Sequence, residues 1–338
     1  MEETFFKPIN PQKLKGDQIV DVAKAAREYQ SVADALLAMP QEQASGCRVC
    51  GSTEEADAFT AYGFAWARCA KCDHLYKKHM PTHAGFIAWL KRSAPIEIYL
   101  EERDLQYRLD QITRPKVDYI KQFHSGKPGR WLDIATGLGD VPHLLHKEGW
   151  KVAATEINQS YVDFAAKEFQ VAAKNQALDD YFAAFVESKQ ESFDVVTAFG
   201  YFDLLPAPMD HFRMVNKMLK VGGVLGINQP NNGSLTAALA RFRPDSSLRV
   251  LSPGDYSFYS KTSLCYALEH SGFEVLNIWW HGLDVHELIV RMIEMNPAFR
   301  TSAACELLYE QFNSLQRAVD QERKSDFMLL SARKVRDL

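Results

Sequence analysis

The sequence predicts an α/β protein in which helices flank a mainly parallel sheet. Three observations support this fold class: short apolar segments alternate with segments of helical periodicity from residue 129 onward, a glycine-rich turn follows the first such strand, and an acidic residue ends the second. Strands that alternate with helices are joined by crossover connections, which pair the strands in parallel. Ligands of open α/β sheets bind outside the carboxyl ends of the strands, so we expect the functional site there.

Length and composition are those of a globular protein with one main domain and appendages. The chain has 338 residues, of which 46% are apolar and 24% are charged, and this apolar content excludes a disordered chain. No apolar run approaches the ~18 residues that span a bilayer. The acidic N-terminus, MEETFFKPINPQ, is unlike a signal peptide, and the net charge of −4 argues against sequence-independent binding of nucleic acid. We therefore expect a cytoplasmic protein without a membrane span.

Four segments follow one another along the chain. Residues 1–45 are predicted to form a helical arm, because apolar residues recur at helical spacing over 17–39 and a proline follows as a stop. Residues 46–82 contain four of the six cysteines. Residues 83–128 are predicted to form a helical linker or lid, with prolines at helix boundaries. Residues 129–338 form the α/β domain.

Strands and helices alternate along this domain. Strands are predicted at residues 131–135, 151–155, 171–174, 193–198, 224–228, 273–280 and 327–334, and helices at 141–148, 160–169 and 209–219. The segments near 230–260 and 280–320 are too long to be simple connections. We expect these two insertions to form a pocket for a second ligand at the carboxyl ends of the strands.

A nucleotide site is predicted where the first strand ends. The strand leads into Thr136-Gly137-Leu138-Gly139, and Glu156 ends the second strand 17 residues beyond Gly139. Glycines let a ligand approach the backbone, and an acid at the end of the second strand accepts hydrogen bonds from ribose hydroxyls. Pro142 stands at the third-glycine position of a dinucleotide fingerprint, and Asp133 would repel a pyrophosphate but suit a cation. The pattern therefore favours a Rossmann-like site for a cationic ligand.

These residues resemble the motifs of class I S-adenosylmethionine (SAM)-dependent methyltransferases. The similar stretches are residues 131–139 (WLDIATGLG, the first motif), Glu156 (the ribose-binding acid), residues 192–199 (SFDVVTAF, the fourth-strand motif), residues 219–223 (LKVGG, the turn before strand five) and residues 327–334 (the final antiparallel strand). Ala135 replaces the usual first glycine of the first motif. The resemblance implies a seven-stranded Rossmann-like sheet and SAM as the cofactor.

The same resemblance implies which residues contact the ligands. The cofactor contacts are Asp133, Ala135, Gly137, Gly139, Glu156, Ile157, Asn175 and Phe199. Tyr201, after the fourth strand, is expected to line the acceptor pocket. The alternative is a Rossmann-like domain that does not use this cofactor.

The clustered cysteines predict a metal site. Cys47, Cys50, Cys69 and Cys72 form two C-x2-C pairs with 18 residues between them, and without a secretion signal this spacing indicates metal binding rather than disulfides. Four thiolates satisfy tetrahedral Zn²⁺ and leave no position for water, so the predicted zinc is structural. The module resembles the zinc ribbon that precedes the methyltransferase domain in bacterial enzymes of sugar and polysaccharide modification. This resemblance implies a sugar or a nucleotide-linked sugar as acceptor.

Three residues are candidates for the catalytic base. A hydroxyl or carbon acceptor loses a proton as it attacks the methyl group, which requires a general base. Related zinc-ribbon enzymes carry histidines before a Phe-Ser pair, where this chain has Asp255 or Tyr256, and after the fourth strand, where it has Asp203-Leu204. His281 follows a strand that should end at the cofactor side. We rank His281 before Tyr256 and Asp255, because neutral imidazole needs the smallest pKa shift to act near pH 7.

The function predicted from the sequence is therefore SAM-dependent methylation of a small molecule, by O- or C-methylation of a sugar. Two alternatives stay open. Some ribosomal RNA methyltransferases also join a four-cysteine zinc module to this catalytic fold, although the module here mixes Arg48, Arg68 and Lys71 with acidic residues. The second alternative is a non-catalytic SAM-binding scaffold protein that uses the ribbon to dock a partner.

Overall fold

A computed structural model describes residues 1–15, 22–92, 105–244 and 250–338. The strands are β1 (Glu2–Phe5), β2 (Gln41–Gln43), β3 (Glu55–Ala61), β4 (Phe64–Cys69), β5 (Leu75–Lys77), β6 (His79–Pro81), β7 (Arg130–Ile134), β8 (Lys151–Glu156), β9 (Lys174–Asn175), β10 (Phe193–Phe199), β11 (Leu219–Pro230), β12 (Ser257–Phe258), β13 (Phe273–His281) and β14 (Phe327–Lys334). They form sheets of eight, four and two strands.

Helices connect and cover these strands. The α-helices span Pro11–Lys15, Val22–Leu37, His83–Arg92, Leu105–Arg108, Arg114–Lys121, Asp140–Lys147, Gln159–Phe169, Leu178–Glu187, Pro208–Met218, Leu235–Ala240, Lys261–Glu269, Asp284–Met295, Ala303–Glu310 and Phe312–Gln321. A π-helical turn spans Leu109–Thr113, and 3-10 turns span Phe202–Leu204 and Pro297–Thr301. None of the described helices is long and apolar enough to cross a membrane.

The eight-stranded sheet has the order β1-β13-β14-β11-β10-β7-β8-β9. Only β14 runs antiparallel to its neighbours, so the predicted α/β class with a mainly parallel sheet is confirmed. Adjacent residues of the central strands, such as Trp131 with Leu132 and Val195 with Val196, are all fully buried. Both faces of the sheet are therefore covered, as parallel sheets require.

The sheet has eight strands where seven were predicted, and the additional strand is β1. It pairs in parallel with β13, and Phe5 lies opposite Trp280. The start of the predicted helical arm is thus a strand; the described helices within residues 1–45 are Pro11–Lys15 and Val22–Leu37, and positions 17–21 of the predicted helix lie outside the described residues. Four residues are too few to show the alternating pattern that predicts a strand. In the structure, β1 covers the edge of β13, which would be exposed without it.

The cysteine module shares a sheet with the insertion near 230–260. β12, which belongs to this insertion, pairs with β5 of the module, and the ring of Phe258 stacks on Trp66 with 5.5 Å between centroids. The buried Lys77 ammonium donates to the Pro253 carbonyl at 2.6 Å. The described part of this insertion therefore holds the module against the α/β domain, a role that its length alone does not reveal.

Substitution of Glu3 tests how β1 is held. The Glu3 carboxylate accepts hydrogen bonds from Arg323 Nη2 at 2.6 Å and from Lys261 Nζ at 2.9 Å, and chiefly the Arg323 bond lowers the pKa of Glu3 to about 2. A lowered carboxyl pKa stabilises the fold above the group's ordinary value of 4.5, and this stability is lost as the pH falls toward 2. Because Arg323 is half exposed, we expect Glu3→Gln to cost only about 1 kcal/mol at pH 7.

Thermal unfolding at a series of pH values measures this effect. The difference between wild type and Glu3→Gln should shrink as the pH falls below 4.5. Glu2→Gln, which alters an exposed neighbour on the same strand, is the matched control and should behave as wild type. A difference that is absent at pH 7, or that does not change with pH, would contradict the role of this ion pair.

Candidate active site

The glycine-rich loop between β7 and the helix Asp140–Lys147 forms a backbone cradle. Ala135, Gly137 and Gly139 have φ angles of +53°, +57° and +81°, a left-handed region that favours glycine. A Cβ atom on Gly139 would lie 2.7 Å from the Cβ of Ala165, so this glycine permits close packing of the loop on the next helix. A Cβ atom on Gly137 would meet nothing within 4 Å. The loop therefore faces open space at Gly137, as expected of a backbone that a cofactor approaches.

Glu156 is fixed by the loop that it faces. Its Oε2 accepts the Gly137 backbone N–H at 2.9 Å, and its Oε1 accepts the Asn158 N–H at 2.8 Å. Burial raises the pKa of this carboxyl group, while the backbone donors oppose that rise. Each carboxylate oxygen has a second lone pair, so the side chain can accept ribose hydroxyls without losing either bond.

Asp133 is a buried acid at the end of β7. Its Oδ1 accepts the Thr197 hydroxyl at 2.5 Å, and the Thr197 oxygen in turn accepts the Trp131 indole N–H at 2.9 Å. Burial raises the pKa of Asp133 to about 7, and no basic side chain of the described residues forms an ion pair with it. A cationic ligand placed here would lower that pKa, because it favours the ionised carboxylate.

A small cavity adjoins these residues. Ala135, Glu156, Ile157 and Tyr201 line it, and its volume is about 70 Å³. The helix His83–Arg92 supplies the opposite wall through His83, Ile87 and Leu90. Asn175 lies at its edge, where its Nδ2 donates to the carbonyls of Glu156 and Ile157 at 3.2 and 2.9 Å.

Tyr201 is held by a histidine that the sequence analysis does not single out. The Tyr201 hydroxyl lies 2.7 Å from His211 Nδ1, and burial raises the pKa of Tyr201 well above its ordinary value. His211 belongs to the helix Pro208–Met218 and also lines the small cavity. His211 lies ten residues downstream, and the packing of its helix against β11 and the 3-10 turn Phe202–Leu204 brings the two side chains together.

A second cavity, of about 200 Å³, lies at the carboxyl end of β13. Its lining residues are Lys7, Ile9, Leu14, Arg108, Ile112, Lys116, Trp279, His281, Gly282, Leu283 and Phe327. His281 Nε2 lies 3.1 Å from Asn228 Oδ1 of β11, which fixes the imidazole. Phe199, at the end of β10, borders the same region, since its ring centroid is 5.6 Å from Lys116 Nζ. His281, Gly282 and Leu283, at the start of the 280–320 insertion, thus line a cavity, and its role as the acceptor pocket stays a prediction.

The other two candidate bases lie elsewhere. Tyr256 is 1% exposed, and its hydroxyl donates to the Pro81 carbonyl at 2.8 Å. Asp255 lies beside Lys77, and burial raises its pKa well above the ordinary value. Both residues pack between the cysteine module and the α/β domain and line neither described cavity, so the structure does not bring them together with His281. The reason is that β12 pairs with β5 and carries its flanking residues toward the module.

The four cysteine sulfurs converge. All lie within 4.8 Å of one another, with 3.5 Å between Cys47 and Cys72 and between Cys50 and Cys69. Four sulfurs around a zinc ion at ~2.3 Å are separated by about 3.8 Å, so the donor set fits tetrahedral Zn²⁺. Gly51 and Asp73 each follow a second cysteine with φ angles of +73° and +62°, which gives the two C-x2-C turns the same shape.

Comparison with known proteins identifies the family. A family described as "Methyltransferase domain" matches residues 102–278, which is more than half of the chain. The chain belongs to this methyltransferase family. Its first-motif loop, Glu156 and strand order agree with that assignment, and the prediction of a class I SAM-dependent methyltransferase is confirmed.

Similar proteins were found by sequence and by structure. The methyltransferase is 24% identical over 149 residues to the ubiquinone biosynthesis O-methyltransferase of Actinobacillus pleuropneumoniae serotype 7, a match that covers 42% of this chain and 64% of that protein. The corresponding protein of Hydrogenovibrio crunogenus is 23% identical over 154 residues, with 44% and 62% covered. The chain thus spans less than two thirds of the length of these relatives.

Two solved structures also align with this chain. A SAM-dependent methyltransferase from Archaeoglobus fulgidus aligns with a TM-score of 0.47 and 18% identity, over 70% of this chain and 100% of that one. The plantazolicin methyltransferase BpumL aligns with a TM-score of 0.48 and 11% identity, over 75% and 95% of the two chains.

Substitution of Glu156 tests the cofactor site. Glu156→Ala removes an acceptor whose hydrogen bonds to ribose hydroxyls are charge-assisted, so we expect SAM affinity to fall by about 1.5–3 kcal/mol. Isothermal titration calorimetry with SAM measures the change. Glu187→Ala, which removes an exposed carboxylate from a helix end, is the control and should keep wild-type affinity. Equal SAM affinity in both variants would show that Glu156 does not hold the cofactor.

Proposed function

We propose that this methyltransferase transfers a methyl group from SAM to a hydroxyl group of a small molecule bound in the cavity beside His281. The observation that carries the proposal is the position of His281. Its imidazole lines a cavity at the carboxyl end of β13, and Phe199, one of the residues assigned to the cofactor, borders this cavity through its contact with Lys116. The proposal assigns the role of general base to His281 and leaves Tyr256 and Asp255 with structural roles.

SAM supplies an electrophilic methyl group when it is bound. Glu156 and the open backbone at Gly137 would hold the nucleoside, and Asp133 would offset the positive charge of the cofactor. If His281 donates its Nε2 hydrogen to Asn228 Oδ1, Nδ1 is the ring nitrogen that takes the proton of the acceptor hydroxyl. Trp279, Leu283 and Phe327 give the cavity apolar walls, which limit the access of water.

O-methylation of a small molecule is supported by the named relatives, which are O-methyltransferases of ubiquinone biosynthesis. The preference for a sugar or a nucleotide-linked sugar rests on the resemblance of the cysteine module to zinc ribbons of sugar-modifying enzymes. Methylation of ribosomal RNA is less well supported, since acidic residues of the module balance its basic ones: Asp73 pairs with Arg68, and Glu55 pairs with Lys78.

We also propose that Cys47, Cys50, Cys69 and Cys72 bind one structural Zn²⁺. Four thiolates complete the tetrahedron and leave no position for an acceptor, so the ion would stabilise the module rather than act in the reaction. The module packs on the 230–260 insertion through β5 and β12, so its stability bears on the whole protein.

Substitution of His281 tests the base. We expect His281→Ala to lower turnover by ~10²–10⁴-fold and to leave SAM affinity nearly unchanged, because the imidazole acts on the acceptor proton. Formation of S-adenosylhomocysteine with a panel of sugars and nucleotide-linked sugars measures turnover. His146→Ala, an exposed histidine, is the control. Near-native turnover in His281→Ala would mean that His281 is not the base and that transfer depends on positioning alone or on another residue.

Substitution of Cys69 tests the metal site. Wild-type protein should contain about one zinc per chain, and Cys69→Ser should lower zinc content and melting temperature together, because metal binding is coupled to folding of the module. Cys265→Ser, at a cysteine outside the cluster, is the matched control. Metal analysis and thermal unfolding give the two readouts, and full zinc content in Cys69→Ser would contradict the assignment.

A further inference from the structure

We propose that Lys7, Arg108 and Lys116 form an anion-binding site in the cavity beside His281, and that this site holds a phosphate or diphosphate group of the acceptor. The inference rests on the proposed function in one respect, namely that this cavity holds the acceptor. It adds the three residues that would hold a charged group of the acceptor and the chemical class of that group.

The strand β1 brings Lys7 to the cavity. Because Phe5 lies opposite Trp280 in a parallel pair, the chain leaves β1 beside the end of β13, where His281 is found. The Phe6 backbone N–H donates to the Trp280 carbonyl at 2.9 Å and fixes this exit. Lys7 then lines the same cavity as His281, although 274 positions separate them in the chain.

The π-helical turn Leu109–Thr113 sets the positions of Arg108 and Lys116. These residues are eight positions apart, and in a continuous α-helix they would differ in direction by nearly a quarter of a turn. A π-helical turn takes up one extra residue, so the spacing becomes equivalent to seven, or about two α-helical turns. Both side chains therefore line the cavity.

The cations outnumber the acids that face them. Arg108 lies 3.3 Å from Asp140 Oδ2, and Thr113 also donates to this carboxylate. Asp326 lies nearby, and its Oδ1 accepts the Leu283 N–H at 3.2 Å. Among the described residues, neither Lys7 nor Lys116 has a carboxylate oxygen within ion-pair distance. The cavity thus contains three basic groups, Lys7, Arg108 and Lys116, that are faced by two acids, in a chain whose net charge is −4.

Both lysines have lowered pKa values, chiefly because they are partly removed from water. Burial, together with Arg108 and Lys7, lowers the pKa of Lys116 to about 7, and burial lowers the pKa of Lys7 to about 8. An anion between the two ammonium groups would raise both pKa values, so its binding should be accompanied by uptake of protons near pH 7.5. The apolar walls formed by Ile9, Trp279 and Phe327 strengthen the attraction, because they lower the local dielectric constant.

Two ligands could supply the anion: the acceptor, or the carboxylate of SAM itself. Two ammonium groups without ion-pair partners match a group that carries two negative charges better than a single carboxylate. The volume of about 200 Å³ is below the ~300 Å³ of the smaller complete ligand sites, so the cavity fits the charged end of an acceptor rather than a whole molecule. We therefore assign the anion to the acceptor. The experiment must exclude that the site binds the carboxylate of SAM instead.

Calorimetric titration of the full-length protein with inorganic pyrophosphate, at pH 7.5 in two buffers of different ionisation enthalpy, tests the site. Wild-type protein should bind pyrophosphate with proton uptake. Lys7→Gln and Lys116→Gln should each weaken binding ~10-fold or more, because each removes a charge-assisted hydrogen bond. Lys13→Gln, an exposed lysine on the same arm, is the control and should change the affinity less than about twofold. Lys7→Arg, which keeps the charge, should retain binding, and thermal unfolding verifies that each variant is folded.

The same variants are titrated with SAM to separate the two sources of the anion. The proposal expects Lys7→Gln to bind SAM as wild type does. It is overturned if pyrophosphate does not bind, if all variants bind it equally, or if the lysine variants lose affinity for SAM instead of pyrophosphate. These measurements do not depend on turnover, so their outcome is independent of the His281→Ala experiment. Native turnover in His281→Ala would contradict the assignment of the base and would not affect the anion site.

Discussion

The parallel pairing of β7 with β8 and β10 is the constraint on which the active site depends. It aligns Ile134 with Thr155 and Ala198, so that the glycine-rich loop, Glu156 and Phe199 all emerge at one edge of the sheet. The bond from the Gly137 N–H to Glu156 then locks the loop to the second strand. A loop held in this way presents its backbone to a ligand without reorganising, which is how a binding site is kept preorganised.

Elements on either side of this centre border the two cavities. The helix His83–Arg92 covers the small cavity near Glu156, while β13 and β1 border the larger cavity beside His281. The two cavities differ in chemistry: the first is lined mostly by apolar side chains around two carboxylates, Glu156 and Asp179, and the second combines apolar walls with cations. This division agrees with a cofactor on one side and a charged acceptor on the other.

The cysteine module is integrated with the α/β domain rather than attached to it by a linker. Its strand β5 pairs with β12, its Trp66 packs on Phe258, and its Lys77 ammonium reaches the Pro253 carbonyl. Tyr256 is buried in this contact and Asp255 is partly buried beside Lys77, so both of these candidate bases lie at the module and line neither described cavity. A long insertion at the carboxyl end of a sheet can serve docking as well as ligand binding, and its length does not distinguish the two.

The local sequence determined the α/β class, the first-motif loop with Glu156, and the paired cysteines, because each depends on periodicity or spacing over fewer than about 30 residues. Only the tertiary structure decided that β1 adds an eighth strand, that Lys7 joins His281, and that Tyr201 contacts His211. These contacts link residues that are distant in the chain or lie on separately packed elements, and no local pattern encodes them. The same is true of the π-helical turn beside Lys116, whose extra residue is invisible until the helix is packed. Which charged residues lie close together therefore depends on the tertiary structure, although each of them can be identified in the sequence.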